Sequence, residues 1–148
     1  MSKTTTQSPR VWSGIAGQLP TTRTAIALLI GDLVALFGFL AVGQYKHGYL
    51  FWENPSRTLL LLSPILSLWL VLALPTGLFT ESSLHSYRKT APKIVSVWVV
   101  VAVLNGLLRG TDYIAGTAPE SFFIVSIVFG ALFLFGWRLL VMTLARIV

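Results

Sequence analysis

The sequence predicts an all-α integral membrane protein, a four-helix bundle with both termini on the cytoplasmic side. Hydrophobic residues make up 55% of the 148-residue chain and charged residues only 11%, with a mean hydropathy of +0.78. The apolar residues gather into four runs of roughly the 20-residue length that crosses a bilayer. The few basic residues cluster in the gaps on one side. Two charges, Asp32 and Arg138, stand alone inside the runs.

The first span is expected at about residues 24–43, after a Pro-Thr-Thr stretch suited to a helix start. An aromatic loop follows, in which Tyr45, Tyr49 and Trp52 suit the headgroup level. Asn54 and Pro55 form an N-cap and first-turn pair, so the second span is expected at 55–79. Pro64 and Pro75 lie inside it. Each removes an amide donor and displaces a carbonyl one turn earlier, so this helix should kink or break near Pro75-Thr76-Gly77. Ser63 or Ser67 could satisfy the displaced carbonyls. The third span is expected at 92–108, a short one. The fourth is expected at 118–145, where Thr117 to Glu120 matches a capping box.

These four helices define one domain over 23–148. Residues 1–22 read as a polar tail without a signal peptide. Its apolar spots Val11, Trp12, Ile15 and Leu19 could line one face of a short helix lying on the membrane or on a partner.

Orientation follows from basic residues. Lys3, Arg10, Arg23, Arg88, Lys89, Lys93 and Arg146 fall on one side, against Lys46, Arg57 and Arg109 on the other. The richer side is cytoplasmic by the positive-inside rule. The net charge of +6 is therefore read as topology, and nucleic acid is not expected as a partner.

Asp32 and Arg138 lie roughly 12–14 Å from the inner ends of helices one and four at 1.5 Å per residue. At equal depth they can meet, and an ion pair is the expected remedy for charge in hydrocarbon. If Arg138 instead snorkels to the interface, a lone Asp32 becomes a candidate proton or cation site. Asn105 and Arg109 share one face at the outer end of helix three. With Asp112 and Glu120 they form an expected outer polar cluster, or alternatively a vestibule for an anion. His47 is a candidate outer-loop ligand; His85, in the opposite loop, is too far away to join it in a metal site.

Gly31 with Ala35, and Ser126 with Gly130, are small-residue pairs that allow close helix packing or a homodimer. Phe37, Phe39, Trp69, Trp98, Phe133, Phe135 and Trp137 read as packing or lipid-facing residues. There is no cysteine, no phosphate-binding glycine loop and no matched nucleophile, histidine and acid. No enzyme is expected.

The order of short motifs carries a resemblance. Asp32 in the first helix, Gly43-Gln44 with His47-Gly48 after it, and Gly106 to Arg109 closing the third are joined by Ser121-Phe122 and Gly136-Trp137-Arg138 in the fourth. Together, over about Ala25 to Leu144, they resemble an uncharacterised family of small prokaryotic membrane proteins, domain of unknown function 3054. Its members often carry Arg where this chain has Gln44. The resemblance implies four helices and a prokaryotic source, and no activity.

The expected role is a non-catalytic accessory or scaffolding subunit of a larger membrane complex, in a prokaryotic cytoplasmic or thylakoid membrane. Its partners would be membrane lipids and other membrane-protein subunits, or a second copy of the chain. Bound lipid would be its cofactor, or chlorophyll or carotenoid in a pigment complex. The alternative is a small homodimeric transporter coupled through Asp32.

Overall fold

The computed structural model describes residues 17, 19–80, 82–83, 86–114 and 117–147, with side chains described as far as Leu144. The tail through residue 16, His85 and the Arg146 side chain lie outside the described residues. Within them the protein is all helical, without strands: α1 (Arg23–Lys46), α2 (Pro55–Ala73) continued by a 3₁₀ turn (Leu74–Thr76), α3 (Tyr87–Arg109) and α4 (Glu120–Ile147). All four, counting α2 with its 3₁₀ turn, are long and apolar enough to cross a membrane. The ends at Arg23, Thr76, Tyr87 and Ile147 are termed inner here, and the opposite ends outer.

Local chemistry sets the boundaries. The Thr22 hydroxyl accepts the Ala25 amide at 3.2 Å and starts α1, satisfying one of the orphan donors of the first turn. Asn54 Oδ1 accepts the Arg57 amide at 3.1 Å and Pro55 occupies the first turn, starting α2.

Four helix limits depart from the hydropathy reading, the end of the second helix among them. α1 continues to Lys46 rather than stopping near residue 43, because Gly43 sits within regular helix and the chain turns only at Gly48, with φ of 78°. α3 begins at Tyr87 rather than Pro92, so it has 23 residues and is not short. Its added turn is polar, with the Lys89 and Thr90 amides bonded to the Ser86 carbonyl. Hydropathy locates where an apolar span begins, not where a helix begins. α4 starts at Glu120, not 118, so Glu120 is its first residue and not the third residue of a capping box. No hydrogen bond joins Thr117 to Glu120 among the described residues; a Phe122 amide to Pro119 carbonyl bond of 2.8 Å makes the turn.

The two prolines of the second span behave differently. Pro64 stays inside a continuous helix. The carbonyl it displaces belongs to Leu60, and the Ser63 hydroxyl donates to that oxygen at 3.4 Å. At Pro75 the α-helix has already given way to the 3₁₀ turn, and Gly77 follows with φ of 71°, a conformation glycine adopts without steric cost. The second helix thus ends at Thr76, not Phe79. Leu78 and Phe79 fold back under the bundle and are fully buried.

Around the bundle the order is α1, α4, α3, α2. α1 and α2, although joined directly by the 47–54 loop, share the thinnest contact. The core centres on Trp69 and Trp98, whose ring centroids are 6.3 Å apart, with Phe39 edge-on to Trp98 at 5.7 Å. Trp98 Nε1 donates to the carbonyls of Ser126 and Ile127, each at 3.1 Å. Outward-facing positions such as Ile30, Val34, Leu59, Val71, Ile124 and Leu132 leave large apolar side chains exposed. So much uncovered apolar surface suits lipid rather than water.

Three glycines serve as seats for rings. A Cβ at Gly130 would overlap the Trp98 ring, one at Gly31 the Trp137 ring, and one at Gly106 the Phe123 ring. The small residues thus bring aromatic side chains of one helix onto the backbone of the next. Because Trp98 is pinned by two hydrogen bonds, Gly130→Ala should destabilise the fold by about 1–3 kcal/mol through overpacking, read as a fall in the thermal midpoint in detergent. Gly136→Ala, whose Cβ meets nothing within 4 Å, should leave the midpoint unchanged or slightly raised, since alanine favours helix.

Candidate functional site

The inner half of the bundle is organised by charge. Asp32 on α1 and Arg138 on α4 are both buried, and Arg138 grips the carboxylate with two donors. Nε meets Oδ1 at 2.9 Å and Nη2 meets Oδ2 at 2.6 Å, the fork-to-fork geometry that strengthens such bonds. The third direction of the guanidinium is also used. Nη1 donates to the Leu78 carbonyl at 3.2 Å, and the Phe79 ring lies 5.2 Å from Cζ. The broken end of the second helix thereby reaches the ion pair. The Pro75 to Gly77 break is what sends Leu78 inward, and Lys93 Nζ fastens it from α3 by donating to the Thr76 carbonyl at 3.1 Å. The indole N–H of Trp69 stands against the carboxylate but completes no hydrogen bond.

The outer half is hollow. A cavity of about 600 Å³ opens among the outer parts of all four helices. Its floor is apolar, with Phe39, Leu61, Ile65, Ala102 and the pinned Trp98. Its mouth is cationic. Arg57 and Arg109, both half-buried, stand close enough for their charges to repel. Each guanidinium rests on a ring: Arg57 over Tyr49 at 4.0 Å and Arg109 over Phe122 at 4.8 Å. Neither has a carboxylate partner among the described residues, where the only salt bridge is Asp32–Arg138.

Between floor and mouth two buried amides line the cavity. The Thr58 hydroxyl donates to Gln44 Oε1 at 3.2 Å, leaving Gln44 Nε2 without a partner. Asn105 Oδ1 is likewise unpartnered. The two residues are 6% and 4% exposed. A buried polar group left unbonded costs about 1–3 kcal/mol, and two such groups belong to residues that line this one cavity.

Of the residues singled out from the sequence, Asp32 and Arg138 are brought together. The outer cluster divides. Asn105 and Arg109 line the cavity, whereas Asp112 and Glu120 are exposed and neither pairs with Arg109. The reason is α4's start: with Glu120 at the first turn, Phe122 occupies the space over Arg109. His47 caps α1 and lines the cavity mouth; no three described His, Asp or Glu side chains gather as a metal would require. Sequence reasoning passed over Arg57, Thr58 and Leu78. Arg57 had been counted only as a topology charge. Leu78 could have been suspected from the Pro-Thr-Gly break followed at once by two large apolar residues, a sign of a chain turning back to the core.

Removing one partner of a buried pair leaves an uncompensated charge and typically costs about 3–5 kcal/mol. Asp32→Asn and Asp32→Ala should each lose stability on that scale, followed by reversible unfolding in mixed micelles. The double variant Asp32→Leu with Arg138→Met should recover most of the loss. An Asp32→Asn protein as stable as the parent would remove the pair from its structural position.

A family model described as "Protein of unknown function (DUF3054)" matches residues 29–141. No curated protein and no solved structure matches the chain. The matched stretch runs from the second turn of α1 to the last third of α4. It takes in both members of the ion pair and the whole cavity lining, and on this the chain belongs to the DUF3054 family.

Proposed function

We propose that this protein is a non-catalytic membrane subunit that holds a small ligand in its outer cavity and packs as an accessory component of a larger membrane assembly. The observation that carries this reading is the shape of the cavity. It gathers residues from all four helices at the outer end, and its lining ends on Trp98, a ring held by two hydrogen bonds. A pocket with a fixed floor suits retention better than conduction. The alternative of transport coupled through Asp32 is weakened by the same geometry, because both carboxylate oxygens are engaged by Arg138.

The proposed setting is a prokaryotic cytoplasmic or thylakoid membrane. Arg23, Arg88, Lys89 and Lys93 at the inner ends outnumber Lys46, Arg57 and Arg109 at the outer ends, supporting cytoplasmic termini. The chain has no cysteine, so single introduced cysteines can be labelled without background. A cysteine at Lys3 should react only from the cytoplasmic side, and one at Glu53 only from the opposite side.

Native mass spectrometry after mild extraction tests the role itself. The parent should carry a stoichiometric non-protein mass and travel with other subunits. Gly43→Trp should lose that mass and keep the thermal midpoint of the ligand-stripped parent, because a side chain at Gly43 enters open space and lines the cavity. A bare parent without ligand or partner, or solute uptake in liposomes abolished by Asp32→Asn without loss of stability, would overturn the reading.

A further inference from the structure

We infer that the cavity takes an anionic amphiphile, an acyl chain bearing a carboxylate or phosphate head. This rests on the reading that the cavity holds a ligand, and it names the chemical class. Two cations, one unpartnered donor and one unpartnered acceptor belong to residues of the upper wall. Arg57 and Arg109 repel each other at the mouth and have no described acid beside them. Like charges near each other disfavour one another, and an anion between them offsets this. The planar guanidinium forks match the oxygens of a carboxylate or phosphate. Tyr49 and Phe122 support the guanidinium faces, which leaves the N–H edges to point at a ligand.

Below them, Gln44 Nε2 has no acceptor. The Thr58 hydroxyl lies 3.2 Å from the other end of that amide and 3.3 Å from each of the Phe51 and Asn54 carbonyls. Asn105 Oδ1, an unpartnered acceptor on the facing helix, can accept from the glycerol hydroxyl of a lysophosphatidate, a donor that an ionised fatty acid lacks. A small inorganic anion would satisfy only this upper part. The cavity continues past the amides to Ile65 and Trp98, and Arg109 lies eleven residues from Trp98 along α3, roughly 16 Å at 1.5 Å per residue. That depth is apolar, so water gains little there, and an acyl chain fills it at a hydrophobic advantage. Charge at the mouth, amides below and an oily floor follow the order of groups in such a molecule.

The same chemistry could arrive as a free single-chain acid or as a bilayer phospholipid. Delipidated full-length protein in an uncharged detergent can be titrated with myristate, a lysophosphatidate of equal chain length, phosphatidylglycerol, the matching monoacylglycerol and inorganic phosphate. An acid head should bind roughly tenfold or more tightly than monoacylglycerol, the range expected for hydrogen bonds to a charged group. A preference for the single-chain acids over phosphatidylglycerol, or the reverse, identifies the source and supports the class either way. Arg57→Gln and Arg109→Gln should each erase most of the preference for acid while still binding the neutral chain. Gly43→Trp should abolish binding of every acylated probe.

Monoacylglycerol binding as tightly as the acids would overturn the anionic class while leaving a ligand-holding cavity. Inorganic phosphate matching lysophosphatidate would overturn the amphiphile. Full acid preference in both arginine variants would remove these residues, and with them the inference. If no amphiphile binds, the inference fails; whether the parent still carries another retained mass then decides the broader reading separately.

Discussion

Arg138 holds three parts of the chain at one point: α1 through the Asp32 carboxylate, α4 through its own backbone, and the end of the second helix through the Leu78 carbonyl. In an apolar interior such an arrangement is stringent. Each donor and each acceptor oxygen left over would carry a desolvation cost with no water to offset it. The bidentate grip together with the Leu78 carbonyl keeps that cost small, and it does so only if Gly77 turns the chain inward at one particular place. The break at Pro75 is therefore part of the same device as the ion pair, although the two are far apart in sequence.

The outer half has the opposite character. There Gln44 and Asn105 each keep one unpartnered atom, and two positive charges share the mouth of a cavity. Trp98 marks the boundary between the halves. Its ring lies on Gly130, its N–H is shared by two carbonyls of α4, and its upper face is the cavity floor. The bundle combines an inner half whose charges neutralise each other with an outer half whose cations line a cavity.

Much of this was legible in the sequence where the physics is one-dimensional. Long apolar runs, the Asn54-Pro55 start, the break at Pro75 and the equal depths of Asp32 and Arg138 all follow from counting along a helix. The polar first turn of α3 was not legible, because its residues carry no hydropathy signal and no side-chain cap marks its start. The cavity was illegible for a different reason. Gln44, Arg57 and Asn105 lie on three different helices, and only the order α1, α4, α3, α2 brings them around one space. Gly31 and Gly130 were recognisable as small, but what they admit, an indole ring rather than a neighbouring backbone, depends on a residue on another helix.

The separation of Asp32 from Arg138 has a consequence for how the protein is made. The two residues are 106 positions apart, so at ordinary elongation rates the acid is polymerised roughly 5–20 s before its partner exists. Throughout that interval α1 bears a carboxyl group with no guanidinium to meet it, and it must stay protonated, hydrated or sheltered by the insertion machinery. The first helix cannot reach its final state until the last one arrives, so a nascent chain stalled before α4 presents quality control with an unneutralised acid.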